Sequence, residues 1–319
     1  MQEMHSEREV HFRRLIRLMM EFGFRRIRGL IWRVHWWRFQ QLRARRPSKR
    51  DRMPRTVRIV DQEFELHPSR EGVSEELLLF GVHEPLATEH YLRMLSPGDH
   101  VLDVGANLGY FLLTALSAIG TSGRALCFEP APKVYDILQR NIKLSGRGNV
   151  QAFPWAIGSA NTTAELYESE VPNWGSLIHN SNLRPTHATL VLVRTLDEVV
   201  REFPGFHPTV LRMDLEGGEL AVLTGAEEVL LHYKPCLFVE FHPFITGWEA
   251  TRDALLHLQT LGYSRGVLIE RSWDHPWMSG WMRRRRCWQG SMVRLLERIE
   301  CSSDPLTNST FSVILRAVK

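Results

Sequence analysis

From about Val57 onward, apolar runs of strand length alternate with stretches whose apolar residues recur every three to four positions. HVLDVG (His100–Gly105), RALCFE (Arg124–Glu129), NVQAFPWAIG (Asn149–Gly158), TVLRMDLEG (Thr209–Gly217) and PCLFVEFHP (Pro235–Pro243) read as buried strands. Tyr110–Ala118, Ala131–Leu144, Glu219–His232 and Glu249–Leu261 read as the helices between and after them. Strands alternating with helices predict an α/β fold: a doubly wound, Rossmann-like, mainly parallel sheet with helices on both faces and right-handed crossovers. The span Ser159–Arg194 interrupts this rhythm. It is long, polar and carries Trp174, and it stands where either a lid over a substrate or a plain surface excursion belongs.

The first 57 residues follow a different pattern. Phe12, Ile16, Met19, Ile27, Leu30, Val34 and Trp37 recur with a helical period, and Arg14, Arg17, Arg25 and Arg28 fall mainly on the opposite side. No uncharged run approaches the ~20 residues of a membrane span, and no stretch matches the ~7–15-residue apolar core of a secretory signal. The pattern is that of a basic amphipathic helix lying in a membrane interface, or of a helix packed on its own protein. RARRPSKRDRMPR (Arg43–Arg55) reads as a solvated linker. The expected division is therefore an arm and linker, 1–57, and a catalytic body, 58–319.

Charge sharpens this division. The net charge is only +4, but residues 1–58 hold 17 Lys and Arg against 5 acids, and the remainder holds 23 against 31. An acidic body carries a basic arm. Cys127, Cys236, Cys287 and Cys301 show no Cys-x-x-Cys spacing and read as free thiols of a reducing compartment. The expected location is cytoplasmic, with the arm peripheral on the inner face of a membrane.

In open α/β sheets, ligands bind beyond the carboxyl ends of the strands. Those ends hold Asp103 to Gly109, Glu129, Trp155-Ala156, Asp214 to Glu219, and Glu240 to His242. Gly105 and Gly109 flank the turn from the first strand into the first helix, where glycine admits positive φ and close approach of a ligand. A dinucleotide site calls for Gly-x-Gly-x-x-Gly here; this chain has Gly-Ala-Asn-Leu-Gly, preceded by Asp103. The carboxylate of Asp103 repels a pyrophosphate and attracts an ammonium or sulfonium group. Glu129, at the end of the second strand, stands where a carboxylate grips two ribose hydroxyls. Together these residues favour a positively charged nucleoside, and S-adenosylmethionine fits.

VLDVGANLGYF, FEPAP, RTLDEVV, LRMDLEGGELAVLTGAEEVL and PCLFVEFH resemble the FkbM-type methyltransferases, a branch of the class I S-adenosylmethionine-dependent enzymes. The resemblance runs from about Asp99 to His242. The chain departs from the family's usual Gly-Ala-Glu at Gly217-Gly218-Glu219. The resemblance implies a seven-stranded sheet ending in an antiparallel hairpin, for which Ser264–Ser272 and Phe311–Val318 are the candidates. It also implies O-methylation, with Asp103, Gly105, Asn107 and Gly109 at the methionine end of the cofactor and Glu129 at the ribose. Ala156 or Trp155 borders the adenine, and Glu84 is a candidate for closing the methionine pocket.

For the chemistry, Asp214 and Glu216 stand two apart at one strand end and so share a side of the chain. They are suited to orienting an acceptor, acting as base or binding a divalent cation through oxygen; such a cation is possible but not predicted. His242, with an ordinary pKa near 6.5, suits a general base. HPWMSGWMRRRRCWQG (His275–Gly290) interleaves Trp277, Trp281 and Trp288 with Arg283–Arg286. It reads as a basic-aromatic patch for nucleic acid, anionic sugar or headgroups, or as a solvated charge run. The reading is an O-methyltransferase acting on a hydroxyl of a sugar, glycan or related small molecule. The alternatives are an RNA ribose methyltransferase and a membrane-attached binding module.

Overall fold

The computed structural model describes residues 34, 35, 37–39, 41, 55–59, 62–69, 71–169, 175–178, 185–301 and 306–317. The chain divides into two compact units, Met1–Met53 and Pro54–Lys319. Of the basic arm, residues 34, 35, 37–39 and 41 are helical; the rest of the amphipathic pattern and most of the linker lie outside the described residues. No helix among the described residues is long and apolar enough to cross a membrane.

The second unit opens with the antiparallel hairpin β1 (Thr56–Ile59) and β2 (Gln62–Glu65), so its first strand straddles the 57/58 boundary read from the sequence. Helices α1 (Val73–Phe80) and α2 (Pro85–Met94) follow. Then come β3 (His100–Val104), α3 (Tyr110–Ile119), β4 (Arg124–Phe128) and α4 (Pro132–Ser145), within two residues of the pattern, and β5 (Val150–Phe153). Strand β3 is apolar on both faces, the mark of a strand covered by helices on both sides. Val101 packs into one core cluster, and Leu102 and Val104 pack into the other.

The third predicted strand is broken in two. Pro154, which has no N–H for the ladder, separates β5 from β6 (Trp155–Ile157). Strand β6 leaves the main sheet to join β7 (Thr162–Ser169) and β8 (Pro185–Arg194) in a three-stranded sheet of order β6-β8-β7. Residues 159–194, which the sequence presents only as a lid or excursion, thus contain a long antiparallel pair.

The chain then runs through α5 (Leu196–Glu202), β9 (Val210–Met213), α6 (Glu219–Thr224), α7 (Glu227–His232), β10 (Cys236–Phe241), α8 (Pro243–Thr246), α9 (Trp248–Thr260) and β11 (Tyr263–Glu270). It ends in α10 (Gly280–Arg284), β12 (Cys287–Ser291), α11 (Met292–Ile299) and β13 (Phe311–Ala317). The single helix predicted over 219–232 is two. They part at Gly225, where a Cβ would stand 2.0 Å from the Gly158 carbonyl oxygen.

The main sheet has the order β12-β11-β13-β10-β9-β3-β4-β5. Strands β5, β4, β3, β9 and β10 are mutually parallel, and β13 is antiparallel to both β10 and β11. The sheet therefore has eight strands, not the seven that the resemblance implies. The extra one, β12, comes from the basic-aromatic segment and pairs with β11. Folding also dismantles that segment as a continuous patch. The guanidinium of Arg286 is buried against Glu270 at 3.1 Å and lies over the Trp273 ring, while Trp281 is exposed with Arg285 beside it.

From β3 the chain moves outward on one side through β4 and β5, then returns to lay β9 and β10 on the other side. The carboxyl ends of β3 and β9 thus flank a topological switch point, the place where such sheets open a ligand crevice.

Candidate active site

A cavity of about 540 Å³ opens at that switch point, a size ordinary for a small-molecule site. Its wall includes Gly105, Asn107, Glu129, Trp155, Ala156, Asp214, Glu216 and His242. Eight residues chosen from the sequence, spread over five strand ends, therefore meet in one space.

The turn after β3 forms one side of it. Gly105 has φ +77°, and a Cβ there would lie 2.1 Å from the Asp214 carbonyl oxygen. The glycine is required by the backbone of β9's exit loop, which crosses at contact distance. Asn107 is held at φ +50°, with its Oδ1 accepting from the Leu108 N–H at 2.7 Å. Asparagine tolerates this left-handed region because its short side chain bonds locally. Gly109, at φ +94°, does not line the cavity. A Cβ there would meet Leu138 Cδ1 at 2.8 Å, so this glycine lets α3 pack on α4.

Glu129 is almost wholly buried, and both of its oxygens are positioned by backbone. Oε2 accepts from the Asn107 N–H and Oε1 from the Ala131 N–H, each at 2.9 Å. Burial pushes its carboxyl up to about 7, against the pull of those two N–H groups. Each oxygen keeps a second lone pair for a donor from the cavity.

Asp103 corrects the sequence reading. It does not line the cavity. It is fully buried beside β9, and its Oδ1 accepts from Arg212 Nη1 at 3.0 Å. Arg212 also donates to the Gly105 carbonyl at 2.9 Å and to Asp214 Oδ2 at 3.0 Å, and its guanidinium lies 4.5 Å from the Phe111 ring centroid. The geometry makes Asp103 the buried counter-charge of an arginine that ties the two strand ends together. It is not placed as a direct contact for an ammonium group.

The far side of the cavity is built around His242, whose ring is 2% exposed. Nδ1 donates to Glu219 Oε1 at 2.8 Å, and the same oxygen accepts from the Gly217 N–H at 3.2 Å. Nε2 faces Glu216 Oε2 at 3.4 Å, Glu240 Oε1 at 3.6 Å and Asp214 Oδ1 at 3.9 Å. Burial pulls the imidazole down, but the carboxylates of Glu216 and Glu219 outweigh it and hold it well above its ordinary value. Burial likewise pushes Glu216 up to about 8. The sequence reading of His242 as a base of ordinary pKa is thereby revised.

Glu84 also lines the cavity, at φ +42°. It is paired with Arg271 Nε at 2.6 Å and His83 Nε2 at 3.0 Å, and His83 Nδ1 reaches Glu76 at 2.7 Å. Sequence reasoning missed Arg271 as a site residue, and noted Glu219 and Glu240 only as parts of strand ends. Arg271 follows a strand of the C-terminal hairpin, and nothing local marks it. Glu219 is readable as the first residue of a helix, but its contact with His242 is not.

The chain matches the model of the Methyltransferase FkbM domain over residues 103–265. It is 29% identical over 178 residues to Methyltransferase sdnD of Sordaria araneosa, a match spanning 46% of this chain and 68% of that protein. It is 26% identical over 156 residues to the Hexuronic acid methyltransferase AglP of Haloferax volcanii, spanning 48% of this chain and 60% of that one, less than two thirds of its length. The crystal structure of Methyltransferase FkbM from Methylobacillus flagellatus KT aligns with 75% of this chain and 52% of its own, at 14% identity and a TM-score of 0.41. With the family model covering half of the chain, this protein belongs to the FkbM family of S-adenosylmethionine-dependent methyltransferases.

Proposed function

We propose that the enzyme transfers a methyl group to a hydroxyl of a sugar, glycan or related polyol. The observation that carries this reading is the convergence of Asp214, Glu216 and His242 on the same cavity that Gly105 and Glu129 border. The hexuronic acid named for the Haloferax relative belongs to the same chemical class. Arg271, Ser272, Asn308, Ser309 and Thr310 add a polar wall suited to a hydroxyl-rich acceptor.

The residues present fit the cofactor. Glu129, with its two spare lone pairs, is a fixed acceptor for the ribose diol. Asn107 and the Gly105 turn would flank the amino-acid portion, and Trp155 and Ala156 the adenine. When bound, the cofactor supplies an electrophilic methyl group on a sulfonium. Asp214 and His242 position the acceptor hydroxyl, and Glu216, in the ionised form that gains population as pH rises through about 8, takes its proton. Holding the attacking oxygen in line is worth up to about 7–11 kcal/mol, and a placed base contributes roughly 10²–10⁴-fold.

The test is incubation with isotopically labelled S-adenosylmethionine and separate uronic acid, neutral glycan, lipid and RNA fractions. Label as a methyl ether on the sugar fractions supports the reading. Label confined to RNA ribose replaces it with the RNA alternative.

Glu129 gives a pH prediction. Its folded pKa of about 7 lies above the ordinary 4.5, so the group is mostly protonated at pH 6 and ionised at pH 8. A ribose hydroxyl donates to the ionised form. Affinity for S-adenosylhomocysteine therefore strengthens by up to about tenfold from pH 6 to 8. The sign reverses for the ligand-free protein. Glu129's contribution to stability is fully present below about 4.5 and is lost as pH rises through about 7, because the unfolded chain releases the proton first. Calorimetric titrations at several pH values check the binding trend. Glu129→Gln flattens it, and a parent protein with a flat profile removes Glu129 from the ribose.

The arm has its own proposal: residues 1–46 attach the enzyme reversibly to anionic membranes. Each basic residue close to such a surface contributes about 1 kcal/mol, screened over ~8–10 Å. A protein starting at Arg52 is expected to keep cofactor binding and lose its affinity for acidic vesicles. In the full chain, that affinity falls with salt. Loss of cofactor binding on truncation would instead make the arm part of the folded body.

A further inference from the structure

The ring of His242 is pinned in one orientation. Its Nδ1 is committed to Glu219 Oε1 at 2.8 Å, and that oxygen is itself held by the Gly217 N–H. This contact makes Nδ1 a donor, so Nε2 is the nitrogen a cation can bind, by displacing the proton that the surrounding carboxylates favour there. Nε2 is aimed at three carboxylate oxygens, at 3.4, 3.6 and 3.9 Å. All three lie beyond the 2.7–3.2 Å of a hydrogen bond. A side chain that is 98% buried thus points its nitrogen into a space ringed by oxygens, all of them at ion-pair distance.

Of these oxygens, those of Glu240 and Asp214, at 3.6 and 3.9 Å, stand a few tenths of an ångström wider than two ligands of one cation, a gap that small side-chain movements close. Two ligand atoms each about 2.1 Å from a metal stand about 3.0 Å apart at a right angle and about 3.4 Å apart at the tetrahedral angle. One donor atom each from Asp214, Glu240 and His242 lies within 4.8 Å of the others. The carboxylate behind the imidazole completes the carboxylate–histidine arrangement that fixes the tautomer of a ligating histidine. Two positive charges stand nearby: Arg212, bonded to Asp103 and Asp214, and Arg271, which pairs with Glu84 at 2.6 Å and more loosely with Glu240 Oε1 at 3.7 Å.

We propose that Asp214, Glu240 and His242 bind one divalent first-row cation of the Mn²⁺ type, which holds the acceptor through the hydroxyl to be methylated. Two hard oxygen donors with one imidazole suit Mn²⁺ better than Ca²⁺, which takes oxygen ligands. The wall at Asp214 opens to the cavity, so acceptor oxygens can complete the coordination. The acceptor class follows: a hydroxyl with a second oxygen one carbon away, as in a vicinal diol or a 2-hydroxy acid, closes a five-membered chelate. Coordination makes the hydroxyl more acidic. Its O–H bond breaks with the proton going to Glu216. An oxygen lone pair forms the new C–O bond to the methyl carbon, and the electron pair of the broken C–S bond stays on sulfur.

This inference rests on the methyl-transfer reading for its purpose, but its test needs neither cofactor nor acceptor. The full chain, stripped with a chelator and checked for folding by circular dichroism, is titrated with Mn²⁺ and followed by electron paramagnetic resonance. The expected result is one Mn²⁺ per chain, with a ¹⁴N coupling in pulsed spectra from the directly bound imidazole. Asp214→Asn is expected to weaken binding at least tenfold, and His242→Gln to abolish the nitrogen coupling. Glu219→Gln is expected to weaken it by about 10–100-fold through the ring it orients. If the folded parent shows no saturable one-to-one binding, or binds Mn²⁺ without nitrogen coupling, the site is not a metal site. Undiminished binding by folded Asp214→Asn would equally overturn the assignment. A bound cation without methyl transfer to any sugar fraction would leave the metal site standing and remove the proposed acceptor.

Discussion

Replacing Asp214 by asparagine is expected to slow methyl transfer at least 100-fold while leaving affinity for S-adenosylhomocysteine within about threefold. The substitution keeps the side chain's shape. Arg212 keeps its bonds to Asp103 and to the Gly105 carbonyl, so the floor of the cavity survives. The loss is the negative charge at Oδ1, the atom that faces His242 Nε2 across 3.9 Å. That charge lies on the acceptor side, remote from the Glu129 end, so its removal is expected to act on turnover. Single-turnover rates at saturating cofactor, set beside calorimetric affinities, check both halves of the statement. Equal rates for variant and parent would reduce Asp214 to a wall residue.

The second large effect is on stability. Gly105→Ala places a Cβ where the Asp214 carbonyl oxygen already stands, 2.1 Å away, at a backbone φ of +77°. Left-handed strain in a non-glycine residue costs roughly 1–3 kcal/mol, and overpacking against a backbone atom adds about 1–3 kcal/mol more. A loss of about 3 kcal/mol or more is expected, or roughly 6–12 °C in Tm at about 2–4 °C per kcal/mol for a domain of this size. Cofactor binding falls with it, since the turn and the β9 exit loop must separate to make room. Gly109→Ala is milder, because its Cβ would press on the end of a leucine side chain, which can move. A Gly105→Ala protein with unchanged Tm would show that the two loops do not approach as described.

Much of the architecture was legible because burial leaves a local trace. Strand β3 and helix α3 follow directly from the apolar run before Gly105 and the helical period after it. Glu129 was found for the same reason: its place at the end of the next strand is a matter of spacing along the chain. Other features were obscured. The pair β7–β8 is obscured because the residues before the apolar run Leu190–Val193 are mainly polar, and two of that run's leucines, Leu190 and Leu192, are exposed. The third strand reads straight through Pro154 in the sequence; its break there, and the pairing of β6 with β8, emerge only in the fold.

The sequence alone determined the sheet, its helices, the glycine turn and the row of acidic strand ends, since the periodicities of 2 and 3.6 record which face of each element is buried. Only the tertiary structure decided what those acids do. Asp103 and Arg212 are 109 residues apart in the chain and paired in space, which turns a predicted ligand into a strut. Glu219 and His242 are 23 apart, and their contact aims a nitrogen at three carboxylates. Arg271 comes from the C-terminal hairpin to neutralise Glu84. Periodicity encodes burial element by element. Which charges meet depends on distances between elements remote in sequence, and those are set only when the sheet assembles.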